Sequence, residues 1–388
     1  MTVRSRRSTL GLLGTAPVAA GGLLAAAEPA SAGRIPRDLL PDGRFDRFVA
    51  RRAAADQFSG TVLLAHRGRP VLARSHGMAN RDRAVANRPD TAFDLASVTK
   101  CLTAVAIGQL AQQGRVAFHE PLGTYLDGFP ADVAQATVHQ LLTHTSGVGR
   151  PALTTERPPD QFEWDTVDEV WNGTLAYLRT RPLRFTPGSR FDYSNDAYVV
   201  VGAIVAAVSG LSYYDYVRRH IFGPAGMTGA DFFTKPQVLA AGGIAREYAT
   251  QPAGDRADFV TTPFFPFIGS PAGGAFASAP DLLRFATALH GGKLLSPAFT
   301  HALTSGKVVV GSSPAVPATP GQIVFYGYGH VDGIVTHHRV VGHSGSGPGR
   351  ANNLDVFLEE GWTVVILSNY DTGIRPIVDL AREIITRR

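Results

Sequence analysis

Strand patterns lie at the two ends of this chain and are nearly absent between them. That separation restricts the available folds more than any other feature. Near the beginning, Gly60-Thr61-Val62-Leu63-Leu64-Ala65 and Pro70-Val71-Leu72-Ala73 flank Arg67-Gly68-Arg69. Two β-branched or apolar runs around a glycine turn predict a hairpin. Near the end, residues 324–330, 333–341, 352–358 and 363–367 alternate or run apolar, with turn residues between them. From about 117 to 263 the apolar spacing is mostly helical, broken by Pro-rich loops such as Glu156-Arg157-Pro158-Pro159-Asp160. Further helices are predicted over 45–55, 98–113, 197–209, 281–290 and 374–386. Hairpin-type connections favour an antiparallel sheet, so its two sequence-distant parts must join, with the helical middle (roughly 102–263) as an inserted lobe.

The 388 residues are 44% hydrophobic, enough for a large core without disulfides; Cys101 is the only cysteine and reads as a small packed side chain. The formal charge of +5 has contributions from Arg4, Arg6 and Arg7, and the other arginines are scattered among acids. No basic stripe points to nucleic acid. Arg6-Arg7 precede an Ala, Gly and Leu run to about Ala27, and Ala30-Ser31-Ala32 supplies small residues at signal-peptidase spacing. This predicts a leader over 1–32, of twin-arginine type although Thr9 departs from that pattern. An exported mature domain from 33 to 388 follows, with no later membrane span; a retained anchor is the alternative.

Three short patterns carry chemistry. In Ser97-Val98-Thr99-Lys100, Ser and Lys fall on one helical face at the helix N-terminus, where free N–H groups favour negative charge. A desolvated lysine can take a serine's proton. Lysine is scarce here (Lys100, Lys235, Lys293 and Lys307), which argues against a casual surface charge at that point. Tyr193-Ser194-Asn195 follows a Thr-Pro-Gly turn and precedes an apolar helix. A tyrosine hydroxyl near two cations can have its pKa lowered and serve as base and acid, and Asn195 can donate an amide hydrogen; a packed Tyr beside a helix cap is the plainer reading. His343-Ser344-Gly345-Ser346 stands between a predicted strand and a Gly-Pro-Gly turn, where the bare Gly345 would let a substrate backbone lie against the strand edge.

In this order the three patterns make the chain resemble the penicillin-recognising serine hydrolases: class C β-lactamases, D,D-peptidases and esterases. Further echoes are Leu141-Leu142-Thr143-His144-Thr145-Ser146-Gly147 and Gly273-Gly274-Ala275-Phe276-Ala277-Ser278. The resemblance implies an α/β fold in which helices flank an antiparallel sheet, with a site between the sheet and the helical lobe. It implies that Ser97 is acylated, that Lys100 and Tyr193 shuttle its proton, and that Asn195 binds the acyl-side amide. Ser344, Gly345 and Ser346 would meet substrate, and the backbone N–H groups of Ser97 and Ser346 would form an oxyanion hole. His343 stands where many β-lactamases have Lys, which favours a D-Ala-type peptide, an amide or an ester over a β-lactam. A protonated His343 would make activity fade above about pH 6.5 to 7.5. Arg350 reads either as a surface arginine or as a carboxylate anchor.

No G-x-S-x-G, zinc-protease helix, P-loop or dinucleotide fingerprint occurs, so no cofactor or metal is expected. The expected partner is a small-molecule or peptide substrate, with no nucleic acid; the oligomeric state is left open. Phe264-Phe265-Pro266-Phe267-Ile268 reads as core or as the lining of an apolar acyl pocket. Two non-turnover alternatives are an acylated penicillin sensor, which would need a signalling span, and a dead scaffold, which would be expected to have lost Ser97, Lys100 or Tyr193.

Overall fold

Along β1 (Gly60–His66), Val62 and Leu64 enter one hydrophobic cluster, whereas Leu63 and Ala65 enter another. The two-residue alternation of a strand therefore feeds two cores at once. β8 (Trp362–Ser368) does the same, with Val364 and Ile366 on one side and Val365 and Leu367 on the other. Burial on both faces explains why this strand reads as a continuous apolar run. Fully enclosed side chains of this kind each contribute about 1.5–3 kcal/mol.

The computed structural model describes residues 35–151, 156–310 and 323–387; the leader pattern lies outside them. Eight strands form the main sheet: β1, β2 (Arg69–His76), β3 (Val308–Val309), β4 (Ile323–Tyr326), β5 (Val331–Val335), β6 (His338–Gly347), β7 (Arg350–Phe357) and β8. Their order is β2-β1-β8-β7-β6-β5-β4-β3, with every pairing antiparallel. Thr61 sits opposite Leu367, which joins the two ends of the chain. The Arg67-Gly68 turn has both residues at positive φ, the geometry that suits the twist of a tight hairpin. Pairing of β5 with β6 stops at Gly342, leaving residues 343–347 with no strand neighbour on that side.

One face of the sheet is covered by α1 (Arg44–Ala54) and the C-terminal helix α5 (Arg375–Ile385), through Phe45, Val49, Ile377 and Ile384. The other face meets the larger core, which includes α2 (Thr99–Gln112), α3 (Asn195–Ser209) and α4 (Ala279–His290). The molecule is thus a mixed α/β fold, a large antiparallel sheet flanked by helices. No single helix among the described residues is long and apolar enough to cross a membrane.

One expected element divides. The run over 333–341 is not one strand but the end of β5 and the start of β6, hinged at Thr336 and His337 with φ of 47° and 71°. Neither is a glycine, so the sequence carries no ordinary signal for that turn.

Candidate active site

Ser97 lies in a 3-10 turn, Ala96–Val98, that leads directly into α2. The turn is held from several directions. Asp94 Oδ1 accepts from the Ala96 N–H at 2.6 Å, and Ala96 takes a φ of 44°. Asn352 Nδ2 donates to the Asp94 carbonyl at 2.8 Å, which ties the segment to β7. Gly345 on β6 packs against the turn so closely that a Cβ there would sit 2.5 Å from the Leu95 oxygen and 2.9 Å from the Ser97 nitrogen. The space left by this glycine is filled by the Ser97 turn, not kept open for a substrate backbone.

Lys100, one helical turn on, is completely buried. Its Nζ donates to Ser97 Oγ at 3.1 Å, Asn195 Oδ1 at 2.7 Å and the Ala272 carbonyl at 2.7 Å. All three neighbours are uncharged. Burial without a carboxylate partner holds its pKa well below the ordinary lysine value. Asn195 Oδ1 and the Ala272 carbonyl can only accept, so they use two N–H bonds. A neutral amine would then turn its lone pair toward Ser97.

Tyr193 is buried, and its hydroxyl faces Ser97. Its ring centroid is 4.8 Å from Lys100 Nζ. The expected downward shift is reversed: burial pushes the phenol pKa up, because desolvation of the ring outweighs the lowering effect of Ser97. Ser194 caps α3, accepting from the Ala197 N–H at 3.1 Å, so Tyr193 and Asn195 are fixed on either side of a helix cap. The packed-Tyr and site readings of this motif therefore describe the same geometry.

His343 is buried and fully engaged. Its Nδ1 lies against the Ser344 carbonyl, which only accepts, so Nδ1 carries the hydrogen; Nε2 then accepts from the Tyr326 hydroxyl at 2.9 Å. Burial and nearby Lys100 lower its pKa to about 3. The expectation of a protonated, titrating His343 is thus replaced by a neutral acceptor throughout the neutral range. Of its companions, Ser346 lines the cleft, Gly345 buttresses the Ser97 turn, and Ser344 serves His343 through its carbonyl.

A cleft of about 280 Å³ opens beside Ser97, with Asn195 and Ser346 in its lining and an apolar side made by Val170, Val199, Pro266 and Ile268. The aromatic run divides between roles: Phe265 is core, whereas Phe264 is exposed and meets Phe162 edge-on. Two arginines reach the cleft and both are neutralised internally. Arg150 binds Asp196 through two nitrogens at 2.7 and 2.8 Å. Arg350 is neither a surface arginine nor a free anchor; it pairs with Glu247 and lies 3.7 Å from Asp94.

Sequence reasoning missed several participants. The Ala272 carbonyl precedes the Gly273-Gly274 pair and gives no side-chain signal. Tyr326 and Glu247 sit far from every motif. His144 was visible only as part of an echo, yet its ring stacks 4.1 Å from that of Tyr193. It accepts from the Ser194 N–H through Nδ1, which leaves a buried Nε2 without a partner. Cys101 is packed as expected, its thiol donating to the Gly329 carbonyl.

Comparison with known proteins gives the family. The model of the family described as Beta-lactamase matches residues 45–385. Penicillin-binding protein PbpX of Bacillus subtilis (strain 168) is 32% identical over 321 residues, covering 80% of this chain and 70% of that one. Esterase EstB of Burkholderia gladioli is 31% identical over 210 residues, 51% of this chain and 53% of the other. The crystal structure of a penicillin-binding protein from Bacillus halodurans superposes with a TM-score of 0.71 at 29% identity, covering 85% and 97% of the two chains. On the strength of this match, the chain belongs to the Beta-lactamase family.

Proposed function

We propose that the chain is a serine hydrolase that forms an acyl-Ser97 intermediate on an ester or amide whose leaving group carries no carboxylate. The observation that carries this reading is the state of the cations beside Ser97. Lys100 is committed to Ser97, Asn195 and Ala272, His343 is neutral, and Arg150 and Arg350 are each held by acids. A β-lactam or a D-Ala-D-Ala terminus would have to bury its carboxylate here without a free positive partner, which is costly.

Neutral Lys100 accepts the Ser97 proton as Oγ attacks the acyl carbon. The N–H groups of Ser97 and Ser346 take the developing oxyanion, an interaction whose loss typically costs about 10²–10³-fold in rate. Tyr193, a neutral phenol beside Ser97 Oγ, gives its proton to the departing alcohol or amine and is reprotonated by the Lys100 ammonium. Asn195, with Oδ1 occupied by Lys100, has its NH₂ end left for the acyl-side carbonyl. Water then cleaves the acyl ester and restores Ser97. The leader pattern at 1–32 supports export of the mature domain.

The test compares the mature protein from Gly33 with its Ser97→Ala variant. The substrates are p-nitrophenyl esters of varied chain length, D-amino-acid amides, a D-Ala-D-Ala peptide and a fluorescent penicillin. Ester or amide turnover that disappears in the variant, with slow penicillin labelling, is expected. Rapid hydrolysis of the penicillin would move the assignment to a β-lactamase, and rapid peptide cleavage to a D,D-peptidase. Equal activity of the two proteins would remove Ser97 from the mechanism.

A further inference from the structure

Behind Ser97, one guanidinium faces two buried carboxyls. Asp94 and Glu247 are only 5% and 2% exposed, and Arg350 lies between the segments that carry them. Each member of this trio holds a different part of the site. Asp94 bonds the Ala96 N–H and so fixes the turn that presents the Ser97 nitrogen. Arg350 opens β7, and its guanidinium packs beneath Gly347, whose Cβ would lie 3.1 Å from Cζ. That contact supports the β6–β7 hairpin next to Ser346. Glu247 meets the same hairpin, since a Cβ on Gly349 would strike its backbone at 2.6 Å.

Charge does not balance if both carboxyls ionise, because one arginine would face two buried anions. Glu247 also has a buried oxygen, Oε1, with no donor, while the side chain faces Asp94 within hydrogen-bonding reach. A proton between the two carboxyls resolves both problems: it supplies the missing donor and leaves the trio neutral. We propose that Asp94, Glu247 and Arg350 form a proton-sharing clamp that keeps the two oxyanion-hole donors in register, and that loss of its proton sets the alkaline limit of the enzyme. The proposal rests on the assignment of Ser97 and Ser346 as those donors. Asp94, Glu247 and Arg350 act as positioning residues.

Burial and Asp94 push the Glu247 carboxyl up to about 8, despite Arg350. The other charged or titratable groups nearby are committed elsewhere. Arg246 pairs with Asp258 at 2.6 Å, the Tyr248 hydroxyl accepts from the Arg81 N–H, and Asp371 accepts from the Gly349 N–H at 3.2 Å. Tyr193 and Lys100 do not compete as sources of an alkaline loss near that pH. The phenol ionises higher, and deprotonating Lys100 activates it.

Glu247→Gln separates this role from mere packing, because its amide donates to Asp94 and accepts from Arg350 at every pH. Two rates would be followed from pH 6 to 10: turnover of p-nitrophenyl acetate, and labelling of Ser97 by a fluorophosphonate. In the parent both should fall about tenfold or more between pH 7 and 9.5. In Glu247→Gln they should stay within about threefold. Glu247→Ala should lose about 30-fold in kcat at pH 7 with little change in KM. An unaltered alkaline fall in Glu247→Gln, or parental kcat in Glu247→Ala, would overturn the clamp.

Thermal unfolding gives a second reading that needs no substrate. A raised carboxyl pKa stabilises the fold fully below about 4.5, and that contribution is lost as pH rises to about 8. The parent should therefore lose melting temperature relative to Glu247→Gln across that window, and parallel curves would contradict the shared proton. Labelling without ester turnover would reject the proposed substrate class and leave the clamp to be judged on labelling and unfolding.

Discussion

Lys100 is fully enclosed, and among the described residues no carboxylate bonds its ammonium. Only uncharged acceptors and the rings of Tyr193 and Tyr198 offset the cost of keeping it charged, and burial outweighs them; the neutral amine is the form that can act as a base. Activity should fall on the acid side as pH drops through the depressed lysine pKa, since protonation removes the lone pair aimed at Ser97. Lys100→Met should cost about 10²–10⁴-fold in kcat/KM, the usual range for removing a general base, while leaving the fold intact. A steady-state pH profile of the two proteins checks both statements. His343 contributes the opposite kind of information. With its pKa at about 3 it stays neutral from pH 5 upward, so no fall between pH 6.5 and 7.5 should come from it. Tyr326→Phe should leave Nε2 buried without its donor, a loss of about 1–3 kcal/mol readable by urea unfolding. The shape of the activity profile between pH 6.5 and 7.5 should be unchanged in this variant.

At the scale of elements, the site is a contact between β6 and the turn before α2, and Gly345 is where they touch. Gly345→Ala would place a Cβ against backbone oxygen and nitrogen, neither of which can rotate away. Displacing the strand should cost about 1–3 kcal/mol in stability. Displacing Ser346 from the oxyanion position proposed for it should lower kcat about a hundredfold or more. Unfolding and ester turnover on one preparation would measure the pair. Much of this element logic was legible beforehand. The helices at 98–113, 197–209 and 281–290 follow from apolar spacing and caps such as Ser278, and the two-ended strand pattern required distant strands to pair. Other features were illegible for identifiable reasons. Thr336 and His337 turn the chain without glycine. The Ala272 carbonyl acts through backbone alone. Charges can be counted in a sequence, but the burial that lowers the pKa values of Lys100 and His343 cannot. The upward shift of Tyr193 could be seen only once all three were packed together.

At the scale of the molecule, burial of neutral histidines links stability to acid. His290 in α4, His330 before β5 and His343 in β6 are lowered to about 4, 4 and 3, each chiefly by desolvation, and His144 is lowered as well. Unfolding releases each ring to an ordinary pKa near 6.5. For such groups the stabilising contribution is complete above about 6.5 and is lost as pH falls toward the folded value, because only the unfolded chain takes up the protons. Glu247 works in the opposite sense between about 4.5 and 8, but it is one group against four. The balance predicts a stability loss on the order of 5 kcal/mol between pH 6.5 and 4.5, which for a chain of this size is a fall of roughly 6 °C in melting temperature. His330→Gln, whose amide can still donate to the Tyr328 carbonyl, should flatten part of that slope while costing little at pH 7. Scanning fluorimetry from pH 4 to 7.5 decides the matter. A melting temperature that stays level down to pH 4.5 would mean that these rings accept protons inside the fold, and that the neutral interior around Ser97 is wrongly drawn.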